Sequence, residues 1–283
     1  MTGYREENKL IMDKNAPIGG FDSGVGGLTV AREIMRQIPN ERIVYFGDTA
    51  RVPYGSKSKD NIIKFSRQII RFLQTENVKA IVIACNTASA LALDEMQQEF
   101  DLPILGVVKP GAKVAVETTA NKRIGLIGTE ANIRSGVYTR YIKSLDDEAK
   151  VFEKACPLFV PLVEEGWLHD DITLQVASRY LEELKEKDID TLIMGCTHYP
   201  LIRSTIRKVM GDKVNLVNPA YETAIELKNL LERDNLANKC DVDSPSSMYR
   251  FYVSDAEEKF KLFANSILPF DITMTKQINI ENY

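Results

Sequence analysis

Apolar residues fall in two alternating rhythms along this chain. From Ile18 onward, short continuous apolar runs give way to longer segments with apolar positions three and four apart. Continuous runs bounded by turn residues predict strands buried on both faces, and the three-four spacing predicts amphipathic helices. IGGFDSG reads as a strand and turn, LTVAREIMRQI as a helix, and RIVYFGDT as the next strand. NIIKFSRQIIRFLQTEN is a long helix, KAIVIACN a fully buried strand, SALALDEMQQEF a helix, and PILGVV a further apolar run.

The alternation then restarts. RIGLIGT predicts a strand and turn, followed by helices over GVYTRYIKSL and DITLQVASRYLEELKEK. DTLIMGCTHYP is a buried strand, LIRSTIRKVM a helix, VNLVNPA a strand and YETAIELKNLLERDN a helix. MYRFYVSD and AEEKFKLFANSIL close the chain as strand and helix. Strands alternating with helices predict the α/β class, with mostly parallel sheets wrapped by helices. Cys85 and Cys196 are 111 positions apart, and the first strands of the two series, at Ile18 and Ile124, are 106 apart. Near-equal offsets predict two pseudosymmetric, doubly wound domains with a site in the cleft between them. The first would take residues 17–108 and 221–283, the second 109–220, and residues 1–16 form a polar arm.

Composition narrows the class. The chain has 283 residues, 44% hydrophobic and 27% charged, enough for a self-sufficient core. Its 36 basic and 40 acidic residues are interspersed and give a net charge of −4. With no basic block, nucleic acid is not expected as a partner. No window holds 18 uninterrupted apolar residues, so no membrane span is expected, and the N-terminus lacks the apolar core of a signal peptide. Four scattered cysteines (85, 156, 196 and 240) without C-x-x-C spacing fit a cytoplasmic chain with reduced thiols.

Ligands in doubly wound sheets bind beyond the carboxyl ends of strands. Cys85 in ACNTAS and Cys196 in GCTHYP both stand there, as do Asp22-Ser23, Asp48-Thr49 and Thr129. A single Cys at a strand end is often just a small buried residue. Two at matching positions of repeated halves instead suggest a symmetric acid–base pair across a cleft. Asn86-Thr87 and Thr197-His198 follow the two thiols with donors and a base. A His or carboxylate beside a thiol accepts its proton or orients it. His198 and Asp22 are the candidates, with a turn histidine and a helix cap as their plain alternatives. The glycines of DSGVGG allow close backbone approach at a helix N-terminus, although the spacing is not G-x-G-x-x-G. His169 reads as a surface loop residue. No established metal-ligand spacing, Cys-phosphatase loop, P-loop or Schiff-base lysine is present, so no metal or cofactor is expected.

As a set, GGFDSGVGGLTV, YFGDTARVPYG, ACNTASA, ACPLFVPLVEEG and MGCTHYPLI resemble bacterial glutamate racemases, in order and from about residue 17. The Cys-Asn-Thr and Gly-Cys-Thr-His pair is shared with aspartate racemases; Val-Pro-Tyr-Gly resembles the glutamate branch. The resemblance implies cofactor-independent, two-base interconversion of L- and D-glutamate for peptidoglycan, commonly in a homodimer. It implies Cys85 acting on the D-enantiomer and Cys196 on the L-enantiomer, assisted by Asp22 and His198 respectively, with Glu165 matching a carboxylate near the second Cys. It further implies Asn86, Thr87 and Thr197 at the α-carboxylate, Asp22 and Ser23 at the ammonium, and Tyr54, Gly55 and Thr129 at the γ-carboxylate. Lys109, Asn132 and Gly20 depart from the family pattern. An aspartate racemase and a thiol hydrolase with Cys85 as nucleophile and His198 as base remain the alternatives.

Overall fold

The computed structural model describes residues 13–239, 248–272 and 275–283. Most of the expected N-terminal arm, and Cys240, therefore lie outside the described residues. Among the described residues ten strands form two sheets in which every pairing is parallel. The first sheet contains β1 (Ile18–Asp22), β2 (Ile43–Gly47), β3 (Ala80–Ile83), β4 (Ile104–Gly106), β9 (Tyr249–Val253) and β10 (Thr275–Gln277). The second contains β5 (Arg123–Gly128), β6 (Lys150–Ala155), β7 (Thr191–Gly195) and β8 (Asn215–Val217).

Strand order is β10-β9-β2-β1-β3-β4 in one sheet and β6-β5-β7-β8 in the other. The run β2-β1-β3-β4 therefore repeats as β6-β5-β7-β8. Cys85 follows β3 and Cys196 follows β7, so the two thiols occupy equivalent places. In each half the chain leaves its first strand to one side and returns on the other, which creates a crevice at the carboxyl ends.

Both faces of each sheet are covered, and strand alternation divides the residues between them. Ile18, Ile43, Tyr45 and Val82 enter one core, while Phe21, Val44, Phe46, Ile81 and Ile83 enter the core on the opposite face. In the second sheet Leu192 and Met194 face one core and Ile193 the other. The covering helices are α1 (Leu28–Gln37), α2 (Lys59–Thr75), α3 (Asn86–Glu99), α4 (Val108–Thr118), α5 (Glu130–Ser135), α6 (Val137–Leu145), α7 (Phe159–Glu164), α8 (Asp171–Lys185), α9 (Arg203–Met210), α10 (Pro219–Arg233) and α11 (Glu257–Ile267). Ser58 caps α2 by accepting from the Asn61 N–H at 3.4 Å. That position fixes where the long amphipathic segment begins.

Passage between the halves occurs at α4 and α10. Buried residues of α4 join a second-sheet core, and Ala220, Ala224, Leu227 and Leu231 of α10 join a first-sheet core. The two helices touch where Gly111 meets Pro219. A Cβ on Gly111 would come within 2.9 Å of the proline ring, so the contact requires a glycine. No helix among the described residues is long and apolar enough to cross a membrane.

Candidate active site

The loops at the carboxyl ends of the two sheets face each other around a small cavity. Ser23, Tyr54, Gly55, Cys85, Asn86, Thr87 and Thr129 line it, together with Cys196, Thr197 and His198. It leaves about 30 Å³ for the centres of water molecules, room for about two of them. Every expected substrate-contact residue lines this cavity except Asp22, which lies fully buried beneath it.

Asp22 ends β1 and organises the loop that follows. Its Oδ2 accepts from the backbone N–H groups of Gly24 (3.2 Å) and Gly27 (2.9 Å). The capping reading of this side chain is thus met by one oxygen. Oδ1 remains for the other half, where the Thr197 hydroxyl donates to it at 3.5 Å. Burial raises the Asp22 pKa, opposed by His198, by the two N–H groups and by the Cys85 thiol.

Cys85 is the residue before α3, with its sulfur 3.8 Å from Ser23 Oγ. Burial first, then the Asp22 charge, push its thiol far above the ordinary value. The Ala88 N–H at the helix start and Ser23 pull the other way. Cys196 has different company. His198 Nδ1 lies 3.7 Å from its sulfur, and His198 Nε2 lies 3.2 Å from Glu164 Oε1. Burial disfavours charge on His198, but Cys196, Glu164 and Asp22 override it and hold the pKa up at about 10. Glu164 is in turn held below its usual range by the histidine. The result is a Glu–His–Cys chain on one side of the cavity and a Ser–Cys pair over a buried aspartate on the other.

The structure corrects one sequence expectation. Glu165 is exposed, and it is the preceding Glu164, the last residue of α7, that bonds His198. Two other expectations are narrowed. The Tyr54 hydroxyl donates to Asp48, itself held by Arg51 and Ser254, so only the rest of Tyr54 faces the cavity. Asn132 is buried behind Thr129, donating to the Gly195 carbonyl at 2.8 Å, and does not line the cavity. Lys109 is exposed on α4, and Gly20 has ordinary space around it. His169 is exposed, as its loop suggested.

Several contacts tie the two halves across the cavity. The Thr87 and Thr129 hydroxyls lie 2.9 Å apart, and Thr29 Oγ1 donates to the Thr197 carbonyl at 3.1 Å. Tyr138 of α6 donates to Asn86 Oδ1 at 2.7 Å. Gly26 and Gly55 permit this closeness, since a Cβ on either would strike the opposite half, at His198 and Thr197 or at Thr129. Val52, Pro53 and Val160 complete the wall. Sequence reading missed these three because apolar wall residues carry no chemical signature. Among the described residues no group of three or more His, Cys, Asp or Glu side chains is placed to hold a metal ion.

Comparison with known proteins agrees with this geometry. The sequence model of the Asp/Glu/Hydantoin racemase family matches residues 18–225. The chain is 44% identical to the glutamate racemase of Geobacter metallireducens over 93% of its own length and 97% of that protein. Its fold is similar to the crystal structure of a Bacillus anthracis glutamate racemase, with TM-score 0.89, 39% identity and coverage of 94% and 98% of the two chains. A glutamate racemase of Francisella tularensis, solved in complex with D-glutamate, aligns with TM-score 0.88 at 38% identity, over 95% of this chain and 100% of that one. With the paired thiols in place and matches running almost end to end, the chain belongs to the Asp/Glu/Hydantoin racemase family.

Proposed function

We propose that this protein is an isomerase interconverting L- and D-glutamate by two-base proton transfer, without a cofactor. The carrying observation is that Cys85 and Cys196, at equivalent strand ends of repeated halves, open into one water-poor cavity. In the L-to-D direction, the Cys196 thiolate, paired with protonated His198, takes the α-proton of L-glutamate. The electron pair left on the α-carbon then takes the proton of the Cys85 thiol from the opposite face. Cys85 ends as thiolate and Cys196 as thiol; once D-glutamate leaves, Cys85 takes a proton from solvent and Cys196 gives one up, which restores the starting form for the next L-glutamate. Burial keeps Cys85 protonated until the carbanion demands its proton.

The α-proton is weakly acidic, so the pocket must stabilise negative charge through preorganised donors. Asn86, Thr87 and Thr197 serve the α-carboxylate, Asp22 and Ser23 the ammonium, and the Tyr54–Gly55 backbone with Thr129 the γ-carboxylate. A site with this donor set discriminates strongly against side chains that lack the distal carboxylate. Residues 17–108 with 221–283, and residues 109–220, act as two domains that part at α4 and α10 to admit substrate. The product is D-glutamate for peptidoglycan, made in the cytoplasm by a homodimer.

Incubation with L-glutamate in deuterated water, followed by NMR and circular dichroism, tests the reaction. Loss of optical activity with deuterium at the α-carbon is expected. Cys85→Ser and Cys196→Ser should each abolish racemisation. Racemisation retained by Cys196→Ser would refute the two-base mechanism, a parent that exchanges no α-proton would leave the Cys85 hydrolase, and exchange confined to L-aspartate would indicate the aspartate specificity.

A further inference from the structure

Asn86 has two chemically opposite ends, and only one helps a carboxylate. Its amide nitrogen donates, whereas its carbonyl oxygen would repel a bound anion. The side chain is almost fully buried, and Asn86 is the first residue of α3, immediately after Cys85. Oδ1 accepts from the Tyr138 hydroxyl at 2.7 Å, while Nδ2 makes no hydrogen bond among the described residues. Asn86 lines the cavity, so its unpaired donor is the end left for a ligand. Tyr138 comes from α6 of the other half and is itself almost wholly buried. Burial pushes its phenol well above the ordinary value, so the O–H stays a donor throughout any working pH.

A hydroxyl can in principle rotate and accept, which would let the amide turn over. Here turning would leave Oδ1 aimed into a pocket that must hold a carboxylate. Because donor and acceptor belong to different halves, the bond also forms only when the cavity is assembled. We propose that Tyr138 is a positioning residue, which locks the Asn86 amide with its N–H facing the substrate α-carboxylate and couples that orientation to closure of the halves. This inference rests on the glutamate reading above.

A double-mutant cycle tests it, with racemisation followed in both directions and D-glutamate binding measured by calorimetry. Tyr138→Phe removes one oxygen and keeps the ring. It should lower kcat/KM by about tenfold, mostly through KM, because the donor is no longer held. In an Asn86→Ala background the same change should cost less than about twofold, since Tyr138 acts only through that amide. Asn86→Asp keeps the acceptor for Tyr138 but loses the donor, and should bind as weakly as Asn86→Ala. Equal costs of Tyr138→Phe in both backgrounds would overturn the proposal by showing a merely structural role. Asn86→Asp binding within twofold of the parent would overturn it independently of how Tyr138→Phe folds. A parent protein that neither binds nor racemises glutamate would overturn the underlying reading, and this inference with it.

Discussion

Gly26→Ala is the sharpest test of the cavity's geometry. Gly26 lies outside the left-handed backbone region, so an alanine there meets no backbone strain, only a lack of space. The added Cβ would stand 2.5 Å from both His198 Nδ1 and Thr197 Oγ1, about 1 Å inside ordinary contact. Neither neighbour yields freely. His198 is held at 3.2 Å by Glu164 and lies 3.7 Å from the Cys196 sulfur, and Thr197 bonds Asp22. Either the imidazole retreats from Cys196 or the halves stand further apart. A displacement of about 1 Å at a reacting group costs on the order of 100-fold in rate. The overpacking itself costs roughly 1–3 kcal/mol of stability. Gly24→Ala is the control, because its Cβ would meet only Val52 at 3.6 Å. Racemisation by circular dichroism, with thermal midpoints, measures both effects. Gly26→Ala within about threefold of the parent's kcat/KM would refute the packing of His198 against this loop.

Glu164→Gln should lower the alkaline limb of L-glutamate turnover from about 10 by roughly one to two pH units, because an opposite charge beside His198 is lost. His198 has a folded value above its ordinary 6.5, so its stabilising contribution is complete below 6.5 and is lost as pH rises through about 10. Denaturation measured across that window should show a shallower decline in the variant, and identical curves would contradict the assignment. Away from the site, Lys79→Met strands Glu41, its buried partner at 2.5 Å, and should cost about 3–5 kcal/mol in urea unfolding. Adding Glu41→Leu should recover most of that loss; no recovery would show that the pair is not the cause.

The strands that position the chemistry were legible because they are buried on both faces. IVIAC and LIMGC have no polar interruption, and the helix-period segments between them left little choice of class. What escaped notice had weaker patterns. β6, KVFEKA, is an edge strand with no fully buried residue, and its charged positions mask it. α4 carries Pro110 and Gly111, which argue against a helix in sequence but are explained by the close seat of Gly111 on Pro219. The sequence points to Glu165 where the structure uses Glu164, for a geometric reason. Adjacent residues on a helix diverge by about 100°, and nothing in VEEG says which acid turns inward. Tyr138 was unreadable as more than a helical aromatic, since its role depends on a partner 52 positions away.

The unequal surroundings of the two thiols have a consequence for kinetics. Enantiomers have equal free energy in achiral water, so the equilibrium constant of the proposed reaction is fixed at one. The Haldane relation then forces kcat/KM to be the same for L- and D-glutamate, however differently Cys85 and Cys196 are housed. A histidine on one side and a buried aspartate on the other can alter only how that common ratio divides. The direction that begins at the better-stabilised thiolate should combine a lower KM with a lower kcat, and the opposite direction should raise both together. Asymmetry in the site therefore sets which enantiomer saturates the protein first, and leaves the thermodynamic endpoint untouched.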